Sequence, residues 1–132
     1  MEIPSGHQTV MPYLIIAGAA GFIAFCQKVF HARLTAHHLQ EGSDRVQHAE
    51  LQLGNSTLML SDASEQWKPQ TANLFVYVAD ADATHRQALK QGATTLMELS
   101  NKDYGRTCGV TDPYGNVWWI TAILKQHLQP RS

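Results

Sequence analysis

At 132 residues the chain is long enough for one compact domain, burying roughly two-thirds of its unfolded surface without a disulfide or metal staple. Ten basic against eleven acidic side chains leave a net charge of -1, which excludes the basic patch that nucleic acid or an acidic membrane surface selects. The only two cysteines, Cys26 and Cys108, have no CxxC spacing and read as free, buried thiols in a reducing, cytoplasmic setting.

In chain order, Met1 to Thr9 reads as a loose leader. Tyr13 to Ala17 is a continuous apolar run, as in a strand covered on both faces. Gly18-Ala19-Ala20-Gly21 is a turn. It lacks the lysine and glycine spacing of a phosphate loop. Phe22, Ile23, Cys26, Val29 and Phe30 have helical spacing. Tyr13 to Phe25 resembles a signal-peptide core, but Glu2 and His7 precede it instead of basic residues, and it is too short to span a bilayer. Arg33 to Leu39 predicts a strand, and Glu41 to Arg45 a turn. Gln47 to Leu53 alternates, with Ala49, Leu51 and Leu53 on one face and His48, Glu50 and Gln52 on the other. Gly54-Asn55 turns the chain into a strand over Thr57 to Leu60.

Residues 63–72 are polar and read as a linker. Leu74 to Val78 predicts a strand, Asp80 or Asp82 caps a helix ending near Gln91, and Gly92 suits the left-handed position after it. His31 holds that place earlier in the chain, and His tolerates positive φ better than most residues. Thr94 to Leu99 and Arg106 to Thr111 predict strands. Asp112-Pro113-Tyr114-Gly115 has turn residues in their preferred places. Val117 to Ile123 closes the series.

This order repeats. Gly54-Asn55 and Gly115-Asn116 lie 61 residues apart, Ile16 and Val78 lie 62 apart, and His31 to Leu34 faces Gly92 to Thr95 at 61. The expected fold is therefore α+β. Two tandem strand-helix-strand-strand-strand modules span about 10–62 and 73–124. They form a curved mixed sheet around a central cup, with the helices outside.

The strings PYLII, HAELQLGNSTLMLSD (His48 to Asp62), VYVADADATHRQALKQGAT (Val76 to Thr94) and YGRTCGVTDPYGNVWWIT (Tyr104 to Thr121) resemble the glyoxalase/bleomycin-resistance/dioxygenase superfamily, also called vicinal oxygen chelate proteins. The similarity is greatest to the PhnB-like, glyoxalase-like branch. It implies paired βαβββ modules, a small-molecule ligand in a cup, and a homodimer. Metal-dependent members take one ligand from each of four strands. Those positions correspond here to Met11, Leu58, Asn73 and Trp119, which lack the carboxylate and imidazole donors a divalent cation wants. A shift of one residue restores none.

The resulting reading is a metal-free small-molecule-binding protein, with no nucleic-acid or membrane partner. One alternative is a metal-dependent lyase or isomerase with a relocated site. A regular hairpin sets His38 opposite His48 with Glu50 on the same face, and two imidazoles and a carboxylate suit a metal. Another alternative is a drug-sequestering resistance protein. The two strand faces compete for the cup: the family correspondence points Leu58 inward, whereas patterning packs Leu51 and Leu58 together and gives His48 and Glu50 to the cup. Candidate ligand contacts are therefore Met11, His48, Glu50, Leu58, Asn73, Tyr104, Arg106 and Trp119. Arg106 offers a planar fork to a carboxylate. Of the adjacent pair Trp118 and Trp119, one packs beneath a helix and the other, Trp119, gives an aromatic wall. Cys108 reads as a packed thiol, with no base identifiable beside it.

Overall fold

The computed structural model describes residues 1–124. Its elements are β1 (Tyr13–Ile16), α1 (Ala19–Phe30), β2 (Arg33–Leu39), β3 (Val46–Leu53) and β4 (Ser56–Asp62), then β5 (Asn73–Tyr77), α2 (Ala81–Lys90), β6 (Thr94–Lys102), β7 (Gly105–Thr111) and β8 (Val117–Ala122). Contacts divide the chain into two compact units, Met1–Thr71 and Ala72–Ser132. Each holds one four-stranded mixed sheet, in the orders β1-β4-β3-β2 and β5-β8-β7-β6. The wiring is the same in both: the first strand runs parallel to the fourth, and the remaining pairs are antiparallel. The repeat in the sequence is thus a repeat in topology.

In the first unit, α1 buries Phe22, Ile23, Phe25, Cys26 and Val29. The sheet meets it with Leu14, Ile16, Ala49, Leu51, Leu58 and Leu60, all buried. The helix starts at Ala19, inside the stretch expected to turn, so only Gly18 at φ 92° does the turning. Gly18 has no side chain to cap the helix, and Asp62 supplies one from the end of β4. Its Oδ1 accepts from Ala19 N at 2.8 Å and its Oδ2 from Val46 N at 2.7 Å. One carboxylate thereby ties the helix start to the β3 start. His31 sits just past the helix in the left-handed region at φ 57°, as its place in the repeat predicts.

The leader is not loose. Gln8 Nε2 donates to the Thr57 carbonyl at 3.0 Å, and Gln8 Oε1 accepts from Thr57 N at 3.2 Å. Thr57 Oγ1 donates to the Gly6 carbonyl. β1 begins only at Tyr13 opposite Met59, so Thr57 lies beyond its reach. The Gln8 carboxamide makes the two bonds a neighbouring backbone would have made. The linker is likewise partly structural: Gln70 exchanges backbone hydrogen bonds with Ile15 at 3.1 and 2.9 Å, covering the outer edge of β1.

In the second unit, Asp80 caps α2 by accepting from Ala83 N at 3.1 Å, and Gly92 follows the helix at φ 98°. Cys108, Val110, Trp118 and Ile120 are buried. They share their sheet face with Thr95, whose Oγ1 meets His85 Nε2 of α2 at 2.9 Å. The turn after β7 closes through Gly115 N to the Asp112 carbonyl at 3.2 Å.

Candidate functional site

β3 pairs with β4 through Leu51 opposite Leu58 and Glu50 opposite Met59. Both leucines are buried, whereas His48 and Glu50 stay partly accessible. Patterning therefore prevails over the family correspondence: Leu58 packs on the α1 side, and the helix-free face carries His48 and Glu50. His38 stands opposite His48, as the hairpin register predicts, with ring centroids 6.4 Å apart.

Glu50 is the centre of this face. Its Oε1 lies 2.7 Å from His7 Nε2 and its Oε2 lies 2.8 Å from His48 Nε2, with only 14% of the side chain exposed. A carboxylate only accepts, so both histidines present Nε2–H to it, and each tautomer is fixed by one oxygen. The hydrogen bond from His48, and then that from His7, hold the Glu50 carboxyl below the usual range against the opposing pull of burial. On the far side of His48, Nδ1 faces the Tyr13 hydroxyl at 3.4 Å. The face is thus polar and able to hold a proton or accept hydrogen bonds from a ligand.

The helix-free face of the second unit has the opposite character. Trp119 lies over Gly109 opposite it on β7, and its Nε1 donates to Asn73 Oδ1 at 3.3 Å. Phe75 stands beside Trp119 on β5, with Tyr77 at 5.1 Å and Tyr104 at 6.1 Å between ring centroids. Phe75, Tyr77 and Tyr104 are all at least half exposed. Beneath them Thr107 and Thr121 bond each other at 2.8 Å and are fully buried. Trp118, one residue away, points to the other face and donates Nε1 to Asp112 Oδ2 at 2.8 Å.

Arg106 does not join this surface. It forms a bidentate pair with Asp82 of α2, Nε to Oδ1 at 2.6 Å and Nη2 to Oδ2 at 3.0 Å, and donates Nη1 to Asn101. That pairing lowers the Asp82 carboxyl and raises the guanidinium. Its fork is engaged within the protein. Met11 is half-buried just before β1. The candidates therefore divide: His48 and Glu50 share one face in the first unit, Asn73, Tyr104 and Trp119 share one in the second, and Leu58 and Arg106 lie on helix-bearing faces. His7, Tyr13, Phe75 and Tyr77 belong with these surfaces and were not foreseen. Phe75 and Tyr77 were hidden in an all-apolar run, although their alternation with Leu74 and Val76 signals them. His7 carried no local signal.

The divalent metal implied by the resemblance does not suit the four corresponding positions. Met11 has a thioether and Leu58 a buried aliphatic chain, the Asn73 oxygen is bonded by Trp119, and the Trp119 nitrogen only donates. The other set, His38, His48 and Glu50, is drawn together differently, with His48 and Glu50 bonded to each other. Among the described residues no group of three or more His, Cys, Asp or Glu is arranged to hold a metal ion. Cys108 is fully buried, and desolvation pushes its thiol up to about 11.

Solved structures with this fold include TioX from Micromonospora sp. ML1, at 22% identity and a TM-score of 0.69, over 89% of this chain and 97% of that one. A PhnB protein from Bacillus cereus matches at 16% identity and 0.68, over 87% and 99%. TnmS3, an antibiotic binding protein from Streptomyces sp. CB03234, matches at 17% and 0.68, over 89% and 100%. No curated protein matches the chain. Residues 9–120 match the sequence model of the Glyoxalase/Bleomycin resistance protein/Dioxygenase superfamily, and the chain belongs to that superfamily.

Proposed function

We propose that the chain is a small-molecule-binding protein, without the usual divalent metal, whose ligand is a flat apolar or cationic molecule. The observation that carries this is the aromatic surface of the second unit. Trp119 is bedded on Gly109 beside Phe75, Tyr77 and Tyr104, which expose their rings although they are large apolar groups. Such a surface stacks planar ligands and attracts cations. The family also supports it, since one structural neighbour is described as an antibiotic binding protein. A drug-sequestering role is the same chemistry with an antibiotic as ligand. The proposal includes a homodimer, and a reducing, cytoplasmic compartment that suits two buried cysteines not joined in a disulfide.

Titration with a planar aromatic cation, acridine orange, while following tryptophan emission tests the reading. Quenching that is lost in Trp119→Ala supports it. Quenching that survives in that variant sinks it. A second reading, a lyase or isomerase of glyoxalase type, draws on Glu50 held between His7 and His48. Native mass spectrometry of protein purified without chelator decides between them: a stoichiometric metal favours the enzyme, whereas a co-purified organic ligand favours the binder.

A further inference from the structure

Away from both surfaces, the first unit has a polar groove of about 440 Å³ lined by Gln40, Arg45, Gln47, Ser64, Gln66 and Trp67. It lies where the β2–β3 turn meets the segment after β4. Among the described residues, Arg45 is the only charged one in the lining. One Nη2–H goes to the Asp62 carbonyl at 2.8 Å, which anchors the guanidinium and leaves its other donors. That bond is to the Asp62 backbone, while the Asp62 carboxylate accepts from Ala19 N and Val46 N. The neighbouring acids Asp44 and Glu65 are exposed and do not line the groove. Trp67 is 56% exposed, which is unusual for the largest apolar side chain. Its backbone is held in a tight turn: Ser64 N donates to the Trp67 carbonyl at 2.8 Å, and Trp67 N donates to Ser64 Oγ at 3.0 Å.

We propose that this groove binds a carboxylated sugar. An anchored guanidinium with no acidic partner among the described residues takes a carboxylate through its planar fork. Three carboxamides supply donors and acceptors together, which suits vicinal hydroxyls more than a purely apolar or purely anionic ligand. An exposed indole accepts the C–H face of a pyranose. A plain aromatic carboxylate would need apolar walls, and Trp67 is the only large one here.

Calorimetric titration of the full chain with glucuronate, glucose and benzoate tests this. Glucuronate is expected to bind at a single site, with glucose and benzoate weaker by about tenfold or more, a free-energy gap of about 1.4 kcal/mol. Arg45→Gln and Trp67→Ala each weaken glucuronate by about tenfold or more, with circular dichroism unchanged. Trp67 is more than half exposed, so that variant keeps the test valid should Arg45→Gln misfold. Glucuronate binding that ignores both variants overturns the proposal, as does benzoate binding as tightly as glucuronate, or no glucuronate heat in the millimolar range.

Discussion

Trp119 and Gly109 are built for each other. A Cβ placed on Gly109 would lie 2.5 Å from Cζ3 and 2.8 Å from Cε3 of the Trp119 ring, closer than carbon atoms approach. The missing side chain is what lets the indole lie down against β7. Gly109→Ala is therefore expected to lift the ring and cost about 1–3 kcal/mol of stability, the usual penalty of overpacking. Denaturant melts and tryptophan emission report both effects, and an unshifted emission maximum would show that the ring does not rest there.

Glu50 gives a pH-dependent prediction. His48 and His7 hold its folded-state carboxyl below the unfolded value of about 4.3, and Tyr13, His38 and Arg33, which bonds Gln52, also lie on this face. A depressed carboxyl adds stability above the unfolded value, and that stability is lost as pH falls through the lower folded value. Glu50→Gln should cost about 1–2 kcal/mol near neutrality, because one histidine then meets an N–H instead of an oxygen. It should also flatten the stability profile as pH falls below about 5. Urea titrations across that range measure it, and parallel profiles for the two proteins would refute the pairing.

The turn from Asp112 to Asn116 is tied together by one side chain. Asp112 is buried and accepts from Tyr114 N, Asn116 N, Asn116 Nδ2 and Trp118 Nε1. Asp112→Ala removes one buried acceptor shared by all four donors and is expected to cost at least about 3 kcal/mol. Asp112→Asn should lose less, because its remaining oxygen still serves the turn amides. Thermal melts of the two variants rank them, and equal losses would show that the oxygens do not divide the work.

What the sequence made legible follows from what has a period. The Gly54-Asn55 turn pointed to the Leu51–Leu58 pair and the Glu41 to Arg45 turn to the His38–His48 pair, and the 61-residue offset pointed to the doubled topology and the left-handed His31. Full burial of Trp118 between the half-buried Val117 and Trp119 also follows from strand parity. The leader could not be read this way. Gly6, His7 and Gln8 act through one carbonyl and two side chains reaching over 40 residues along the chain, with no repeat to betray them. Arg106 was misleading for a similar reason: its partner Asp82 is 24 residues back and meets it only once α2 has packed on β7.

Cys108 should resist alkylation. Its side chain is fully buried on the α2 side, and desolvation raises the thiol to about 11, so almost no thiolate exists at neutral pH. Iodoacetamide is expected to modify Cys108 only after denaturant is added, as mass spectrometry of the peptides would show. Rapid labelling of the folded protein would mean that the strand opens.

The Gln8 strap gives the most local test. At the end of a β-ladder, an amide exchanges more readily unless something accepts from it. Thr57 N is protected by a side chain, Gln8 Oε1 at 3.2 Å, whereas Met59 N two residues on is protected by backbone, the Pro12 carbonyl at 2.9 Å. Gln8→Ala removes the first acceptor and leaves the second. Hydrogen exchange followed by NMR should therefore speed up at Thr57 and stay unchanged at Met59, with a stability loss of about 1 kcal/mol. Acceleration at both amides would mean that the leader holds β1 itself in place, and acceleration at neither would mean that the carboxamide carries no weight.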